Sequence, residues 1–133
     1  MILVDSNVLM YAAGSQHPHK APSLRFLEAV AKGDVEAVID AESLQEVLHR
    51  YRALGRWREG RVAYDLVRTI FPMVLPVSAE ILDHARSLMD EYEDLMARDA
   101  LHAAVVRVHS LEALCSYDRD FDRIRNLHRI EPA

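Results

Sequence analysis

The sequence predicts an α/β fold, a three-layer sandwich in which helices flank a central, mainly parallel β-sheet. Short apolar runs of strand length alternate along the chain with longer stretches of helical periodicity, the pattern of parallel α/β proteins. The first run, residues 2–4, is wholly apolar, as expected for a strand covered by helices on both faces. A length of 133 residues fits one domain over residues 1–133, and half of the residues are hydrophobic, enough for a core.

The first half of the chain predicts two strands and four helices, separated by residues that favour turns. Apolar side chains recur at helical spacing after each strand, for example Leu44, Val47 and Tyr51 after the second. Glycines and prolines mark where these helices end. In chain order we expect strand 2–4, a short helix that stops at Gly14, a loop over 15–22, a helix closed by Gly33, strand 35–40, a helix over 41–54 that ends near Gly55, and a helix that stops before Pro72.

The second half predicts three more strands and two more helices. Residues 73–77 form a third strand, and Ser78 is placed to cap a helix whose apolar face includes Ile81 and Leu88. A further helix spans residues 97–110. A fourth strand over residues 111–116 and a short fifth strand over 128–132 complete the alternation of strands and helices.

Composition and charge exclude several classes of protein. The net charge of −5 and the pI of about 5.8 are unlike those of a basic nucleic-acid coat. The single cysteine, Cys115, excludes a disulfide framework and a cysteine-based zinc site within one chain, which fits a reducing compartment. The N-terminus lacks a secretory signal, and no apolar run approaches the roughly 20 residues needed to cross a bilayer. We therefore expect a cytoplasmic domain that does not enter the membrane.

Four acidic residues are placed where a common site can form. Asp5 follows the first strand and Asp118 follows the fourth, and ligands of parallel α/β folds bind at the carboxyl ends of strands. Glu46 and Asp99 interrupt otherwise apolar helix faces. Each acid has a structural alternative. Asp5 and Asp99 can cap helices, Glu46 can pair with Arg50, and Asp118 can form a turn.

Four carboxylates brought together at one edge of a sheet cannot all stay ionised without a cation. Two of them about 4 Å apart repel by roughly 4 kcal/mol at an effective dielectric constant of 20. No lysine is near any of the four acids in the sequence. Oxygen ligands suit hard divalent ions such as Mg²⁺ or Mn²⁺, which lower the pKa of a water and polarise a phosphoryl oxygen. The four acids therefore predict a phosphodiesterase or nuclease.

Four segments in order resemble those of PIN-domain ribonucleases, and the length of the chain is similar to that of VapC-type toxins of prokaryotic toxin–antitoxin pairs. The segments are LVDSNVLMYA, ESLQEVLHRY, RDALHAAVV and SYDRDFDRI, and they span nearly the whole chain. The resemblance implies a PIN-like fold and a Mg²⁺- or Mn²⁺-dependent endoribonuclease. It places the catalytic, metal-binding acids at Asp5, Glu46, Asp99 and Asp118. It also implies a homodimer, and a small antitoxin whose C-terminal segment lies over the acidic groove.

Further residues take supporting roles under the same resemblance. Ser6 or Asn7, and Ser116, match small polar positions around the site, and Asp122 is a possible additional metal ligand. In the mechanism that we expect, the first, third and fourth acids hold the metal. The second acid holds a further ion or orients the attacking water, and hydrolysis of RNA leaves a 5′-phosphate and a 3′-hydroxyl.

A basic segment beside Trp57 is a candidate for contact with RNA. Arg50, Arg56 and Arg58 lie near this aromatic residue in the sequence, and arginine with a stacking aromatic is a combination that binds single-stranded RNA. The alternatives are contact with the antitoxin, or a solvated pair of helices in which neighbouring acids balance some of the charge.

Three histidines are also considered as site residues. His102 lies one turn after Asp99 and can share its helix face, but we favour a packed or surface position for it. His17 and His19 favour a loop with exposed imidazoles over a metal site.

Two other functions are alternatives to a nuclease. One is a PIN fold that has lost catalysis and serves as a binding module, which the presence of all four acids argues against. The other is a phosphoaspartate receiver-like signalling domain. That domain needs an acidic pair near the first strand and a late lysine, whereas only Asp5 is early and the two lysines are Lys20 and Lys32.

Overall fold

The computed structural model describes all 133 residues and contains a five-stranded sheet in which every pair of neighbouring strands is parallel. The strands are β1 (Ile2–Val4), β2 (Ala37–Asp40), β3 (Val74–Leu75), β4 (Ala113–Cys115) and β5 (Arg129–Ile130). Their order in the sheet is β3-β2-β1-β4-β5. The predicted α/β fold class, with a mainly parallel sheet, is therefore confirmed.

Six α-helices connect the strands and cover the sheet. They are α1 (Ser6–Ala13), α2 (Lys20–Ala31), α3 (Ala41–Ala53), α4 (Trp57–Ile70), α5 (Ala79–Glu91) and α6 (Ala97–Val108), and a 3-10 helix spans Arg119–Arg123. The predicted cap of α5 is confirmed, because the Ser78 hydroxyl accepts a hydrogen bond from the Ile81 amide at 3.3 Å. None of these helices combines the length and the apolar composition that crossing a bilayer requires.

The predicted loop over residues 15–22 is wrong at its C-terminal end. Helix α2 begins at Lys20 and therefore includes Pro22. Proline is tolerated in the first turn of a helix because the amide that it lacks has no partner there. The second strand is also shorter than predicted, since β2 begins at Ala37 rather than at residue 35.

The sheet separates two hydrophobic clusters. Successive residues of a strand point to opposite faces, so Leu3 belongs to the cluster that packs against α5 and α6, and Val4 belongs to the cluster under α1 to α4. The neighbouring strands follow the same alternation. Both faces are covered, which explains why β1 and β4 are apolar throughout and why Cys115, on β4, is fully buried.

The carboxyl ends of the strands form one edge of the sheet, and that edge carries polar residues. Asp5 directly follows β1, Asp40 is the last residue of β2, and Ser116 directly follows β4. The strand order reverses direction at β1, because β2 and β3 lie on one side of it and β4 and β5 on the other. Such a switch point leaves a crevice where ligands bind in open α/β sheets.

Candidate active site

Asp5 is a buried carboxylate at the switch point, with 7% of its surface exposed. It occupies the N-cap position of α1, but its side chain makes no capping hydrogen bond. Instead, Ser116 donates its hydroxyl proton to Asp5 Oδ2 at 2.7 Å, and Asn7 Nδ2 donates to Ser116 Oγ at 3.1 Å. The capping alternative for Asp5 is therefore wrong, and this acid is oriented into the crevice by residues that follow β1 and β4.

Glu46 reaches the same crevice from α3, which begins directly after β2. Ser6 donates a hydrogen bond to Glu46 Oε2, and Arg98 Nη1 lies 3.9 Å from the same oxygen. His102 Nε2 lies 3.4 Å from Glu46 Oε1. The alternative in which Glu46 pairs with Arg50 is therefore not the one that the structure adopts.

His102 is the cation at the centre of this cluster. It is 1% exposed, its Nδ1 donates to Asp40 Oδ2 at 2.6 Å, and its Nε2 lies 3.8 Å from Asp5 Oδ1. Burial alone lowers the pKa of His102, but the hydrogen bonds to Asp40 and Glu46 outweigh burial and hold the pKa well above its usual value of 6.5. The imidazolium therefore offsets part of the charge of Asp5 and Glu46. Of the two positions predicted for His102, packed or at the surface, the packed one is correct, and the prediction did not include this role.

Asp40 is the site residue that the sequence analysis missed. It is fully buried at the end of β2, where its Oδ1 accepts a hydrogen bond from the Ser43 amide at 3.1 Å and so caps α3. Its other oxygen binds His102. The signal was present, because the rule that selected Asp5 and Asp118 at strand ends selects Asp40 as well.

Asp99 lies near Asp118, Asp5 and His102, and the charges of all three act on its carboxyl. Asp99 is in the first turn of α6, and partial burial, followed by the charges of Asp118 and Asp5, raises its pKa to about 6. Asp118 Oδ1 accepts a hydrogen bond from the Asp120 amide at 2.9 Å and begins the 3-10 helix, so its structural alternative is also realised. Its second oxygen is not used by that cap.

The structure does not bring Asp122 into the cluster. The Arg129 guanidinium holds both of its carboxylate oxygens, at 2.8 and 3.2 Å, and this contact lowers the pKa of the Asp122 carboxyl. An exposed carboxylate with a bidentate arginine is poorly available as a ligand, because a metal must displace the guanidinium.

The predicted basic residues separate into two groups. Arg50 and Arg56 line a polar cleft that opens beside Glu46, and Arg98 joins them there from α6. Trp57 is half-buried, with the Arg52 guanidinium 4.5 Å from its ring centroid, and neither Trp57 nor Arg58 lines the cleft. Arg98 was not predicted, although it precedes Asp99 directly in the sequence.

The donor set fits a divalent cation. A carboxylate oxygen of Asp5, one of Glu46 and a ring nitrogen of His102 lie within 4.8 Å of one another. Because His102 is protonated, the two carboxylates are the groups of this set that can bind a metal. Burial is the main reason that the pKa of Asp99 is raised, and the charges of Asp118 and Asp5 raise it further, because the opposing effect of His102 does not balance them. A hard cation beside Asp5, Asp99 and Asp118 removes that repulsion.

Comparison with known proteins gives one family. A PIN-domain family model matches residues 2–127 of the chain. Ribonuclease VapC13 of Mycobacterium tuberculosis is 43% identical over 130 residues, which cover 98% of this chain and 99% of the relative. Two solved structures share the fold at lower identity. VapBC2 from Rickettsia felis, bound to a DNA fragment from its promoter, aligns with a TM-score of 0.78 at 19% identity over 98% of each chain. A toxin–antitoxin complex from Klebsiella pneumoniae aligns with a TM-score of 0.71 at 21% identity, over 100% of this chain and 98% of that one.

Proposed function

The chain belongs to the PIN-domain family, and from this premise we propose that it is a metal-dependent endoribonuclease acting as the toxin of a toxin–antitoxin pair. The observation that carries the proposal is the convergence of Asp5, Glu46, Asp99 and Asp118 at one edge of the sheet from four separate elements. The full-length similarity to a VapC ribonuclease supports it. The receiver-like alternative does not fit, because flavodoxin-like sheets have the order 2-1-3-4-5 and this sheet has the order β3-β2-β1-β4-β5.

We assign the metal to Asp5, Asp99 and Asp118, with Mg²⁺ or Mn²⁺ as the ions that suit carboxylate oxygens. When bound, such an ion supplies Lewis-acid chemistry, which lowers the pKa of a water and polarises a phosphoryl oxygen. Ser116 and Asn7 orient Asp5 toward this position through their hydrogen bonds.

Glu46 is the residue that orients the attacking water. Partial burial raises its pKa, but hydrogen bonds from His102 and Ser6 outweigh burial and hold the pKa below its usual value. The carboxylate is therefore ionised at neutral pH and fixed in position, which lets it accept a hydrogen bond from the water. The water then attacks the RNA phosphate in line with the departing 3′ oxygen, leaving a 5′-phosphate and a 3′-hydroxyl.

Metal binding is expected to raise the melting temperature of the protein, and to raise it more at a pH where Asp99 is ionised. Free Mn²⁺ at 100 times its dissociation constant gives about 2.7 kcal/mol at pH 7.5, a rise of several degrees in melting temperature. The rise is smaller at pH 5, because protons compete for a carboxyl with a pKa of about 6. Thermal melts with and without Mn²⁺ measure both effects.

The Asp99→Asn variant is the matched comparison for these melts. It removes the charge without changing the size of the side chain, so Mn²⁺ should no longer raise its melting temperature at pH 7.5. Equal stabilisation of the variant and the wild type by Mn²⁺ contradicts the assigned metal position.

We propose that a segment of an antitoxin is the second partner of this chain, and that it binds beside the acidic groove. An apolar cavity of about 250 Å³ lies among α1, α2, α3 and α4, and Leu24 and Leu66 beside it are 41% and 60% exposed. A partner peptide that packs there can continue over the acidic groove. The similarity to a toxin–antitoxin complex supports this partner.

We also propose that the chain forms a homodimer through α5 and the segment before α6. Leu82, Met89 and Met96 are 51%, 40% and 72% exposed, and such a set of apolar side chains favours burial against a second copy. Light scattering is expected to give twice the chain mass of 15.2 kDa. The Leu82→Glu/Met89→Glu variant should give the mass of one chain, and a wild type that is monomeric at every concentration contradicts the proposal.

A further inference from the structure

A polar cleft of about 870 Å³ opens directly beside the catalytic acids, and its floor includes Ser6 and Glu46. Its volume lies within the range of about 300–1,000 Å³ that is typical of ligand-binding pockets. One wall comes from α1 and the loop that follows it, and the other comes from the end of α3, the start of α4 and the start of α6. Any substrate that reaches Glu46 from this side must pass between these walls.

Two arginines on the second wall are available to an anion. Arg50 is exposed and has no carboxylate partner within ion-pair distance, and Arg98 makes only a long contact of 3.9 Å with Glu46. Arg56 differs, because its guanidinium is 2.9 Å from Glu59. Arginine presents a planar set of donors that matches a phosphate. Arg50 and Arg98 therefore provide positive charge next to an acidic centre that otherwise repels RNA.

The first wall carries a pair of aromatic side chains, Tyr11 and His17. The rings of Tyr11 and His17 lie 4.5 Å apart, and His17 is exposed on the cleft side. The loop beneath them is held in place. His19 stacks on Tyr117 with 3.9 Å between centroids, and the Tyr117 hydroxyl donates to the His19 carbonyl at 3.2 Å. A fixed aromatic face is the kind of surface on which an unpaired base stacks.

We propose that this cleft is a subsite for single-stranded RNA next to the phosphate that is cut. Arg50 and Arg98 bind backbone phosphates, and His17, supported by Tyr11, stacks on one base. The proposal rests on the proposed ribonuclease function and adds the location and the chemistry of substrate binding. RNA is favoured over a protein segment because the cleft is polar and cationic, whereas the neighbouring cavity of about 250 Å³ is almost wholly apolar and suits a peptide.

The phosphate contacts are tested by binding in EDTA, which prevents metal-dependent cleavage. The probe is a fluorescent 20-nucleotide single-stranded RNA of mixed sequence. The Arg50→Gln/Arg98→Gln variant should bind at least tenfold more weakly than the wild type. The slope of the logarithm of the binding constant against the logarithm of the salt concentration should also be shallower for this variant by about 1.4. Each phosphate contact on a single strand contributes about 0.7 to that slope, and the variant loses two contacts. The control, Arg25→Gln on α2, removes an exposed arginine outside the cleft and should bind within twofold of the wild type.

The stacking contact is tested with two probes. His17→Ala should weaken binding of the RNA several-fold and leave binding of an abasic ribose-phosphate oligomer of the same length unchanged. Equal weakening for both probes shows that the change acts on the loop and not on a base, and it overturns the stacking assignment.

Failure of the subsite is distinguishable from failure of the proposed function. In one outcome, the wild-type protein cuts RNA with Mn²⁺, and the double arginine variant binds and cuts RNA with the Kd and KM of the wild type. RNA then does not use the cleft, so the proposed subsite is wrong and a protein partner is the occupant of the cleft. If wild-type protein binds RNA through Arg50 and Arg98 but does not cut it with any divalent ion, only the nuclease assignment is wrong.

Discussion

Asp5→Asn is expected to lower RNA cleavage by more than about 100-fold, because changing only the residues around a metal ligand already costs about 10–100-fold. The amide is the same size as the carboxylate, and its oxygen can still accept the hydrogen bond from Ser116. The variant loses a negative charge that interacts with both Glu46 and Asp99. It therefore loses the assigned metal while it keeps the packing of the crevice.

The fold of Asp5→Asn should remain near wild-type stability. Burial raises the pKa of Asp5, which means that its charge is unfavourable in the folded protein despite the nearby His102. Replacing that charge by an amide removes the cost of burying the carboxylate, and it also removes the attraction between the carboxylate and His102. Melting temperatures in EDTA are therefore expected to differ by only a few degrees.

Cleavage of total RNA by highly purified protein, with Mn²⁺ present, measures this prediction. Asp34→Asn is the matched control, because it makes the same chemical change at an exposed acid between α2 and β2. Full activity of Asp5→Asn, in preparations from which contaminating nuclease has been excluded, refutes the catalytic role. Absence of cleavage by the wild type with every divalent ion favours the binding-module alternative.

The sequence could predict Asp5 because the abrupt end of an apolar strand is a local signal. The same applies to Asp118, which follows the buried strand β4. Parallel strands with helices between them bring such ends to one edge, so the meeting of these two acids follows from the fold class. Glu46 and Asp99 needed the further observation that each interrupts an apolar helix face.

The sequence could not predict the pairing of Asp40 with His102. These residues are 62 positions apart, and His102 lies in an apolar helix row where packing alone explains its presence. Which polar partner a buried histidine finds depends on how α6 crosses the end of β2, and that is decided by tertiary packing. The expectation that only an added ion can balance the carboxylates was incomplete for the same reason, since His102 already supplies one positive charge.

His102→Gln is expected to lower the free energy of unfolding by about 3–5 kcal/mol, the range for removing one partner of a buried ion pair. Asp40 is fully buried, and its carboxylate then faces an amide in place of a cation. The Asp40→Asn/His102→Gln variant replaces the charged pair by two neutral amides. The double variant should lose less free energy of unfolding than the Asp40→Asn and His102→Gln variants lose together. Urea denaturation in EDTA at pH 6 measures all three variants, and His128→Gln, at an exposed position, should stay within about 0.5 kcal/mol of the wild type.

The difference in free energy of unfolding between the wild type and His102→Gln should depend on pH if His102 forms an ion pair, and should not if it acts only by packing. The folded protein holds the pKa of His102 well above 6.5, so folding takes up a proton in the window between 6.5 and the raised pKa. The stability that His102 contributes is therefore complete below about pH 6.5 and declines as the pH rises through the folded pKa. The gap between wild type and His102→Gln should shrink between pH 6 and pH 9. A gap that stays constant across this range, or a double variant whose loss equals the sum of the single losses, means that His102 acts by filling space and carries no charge in the crevice.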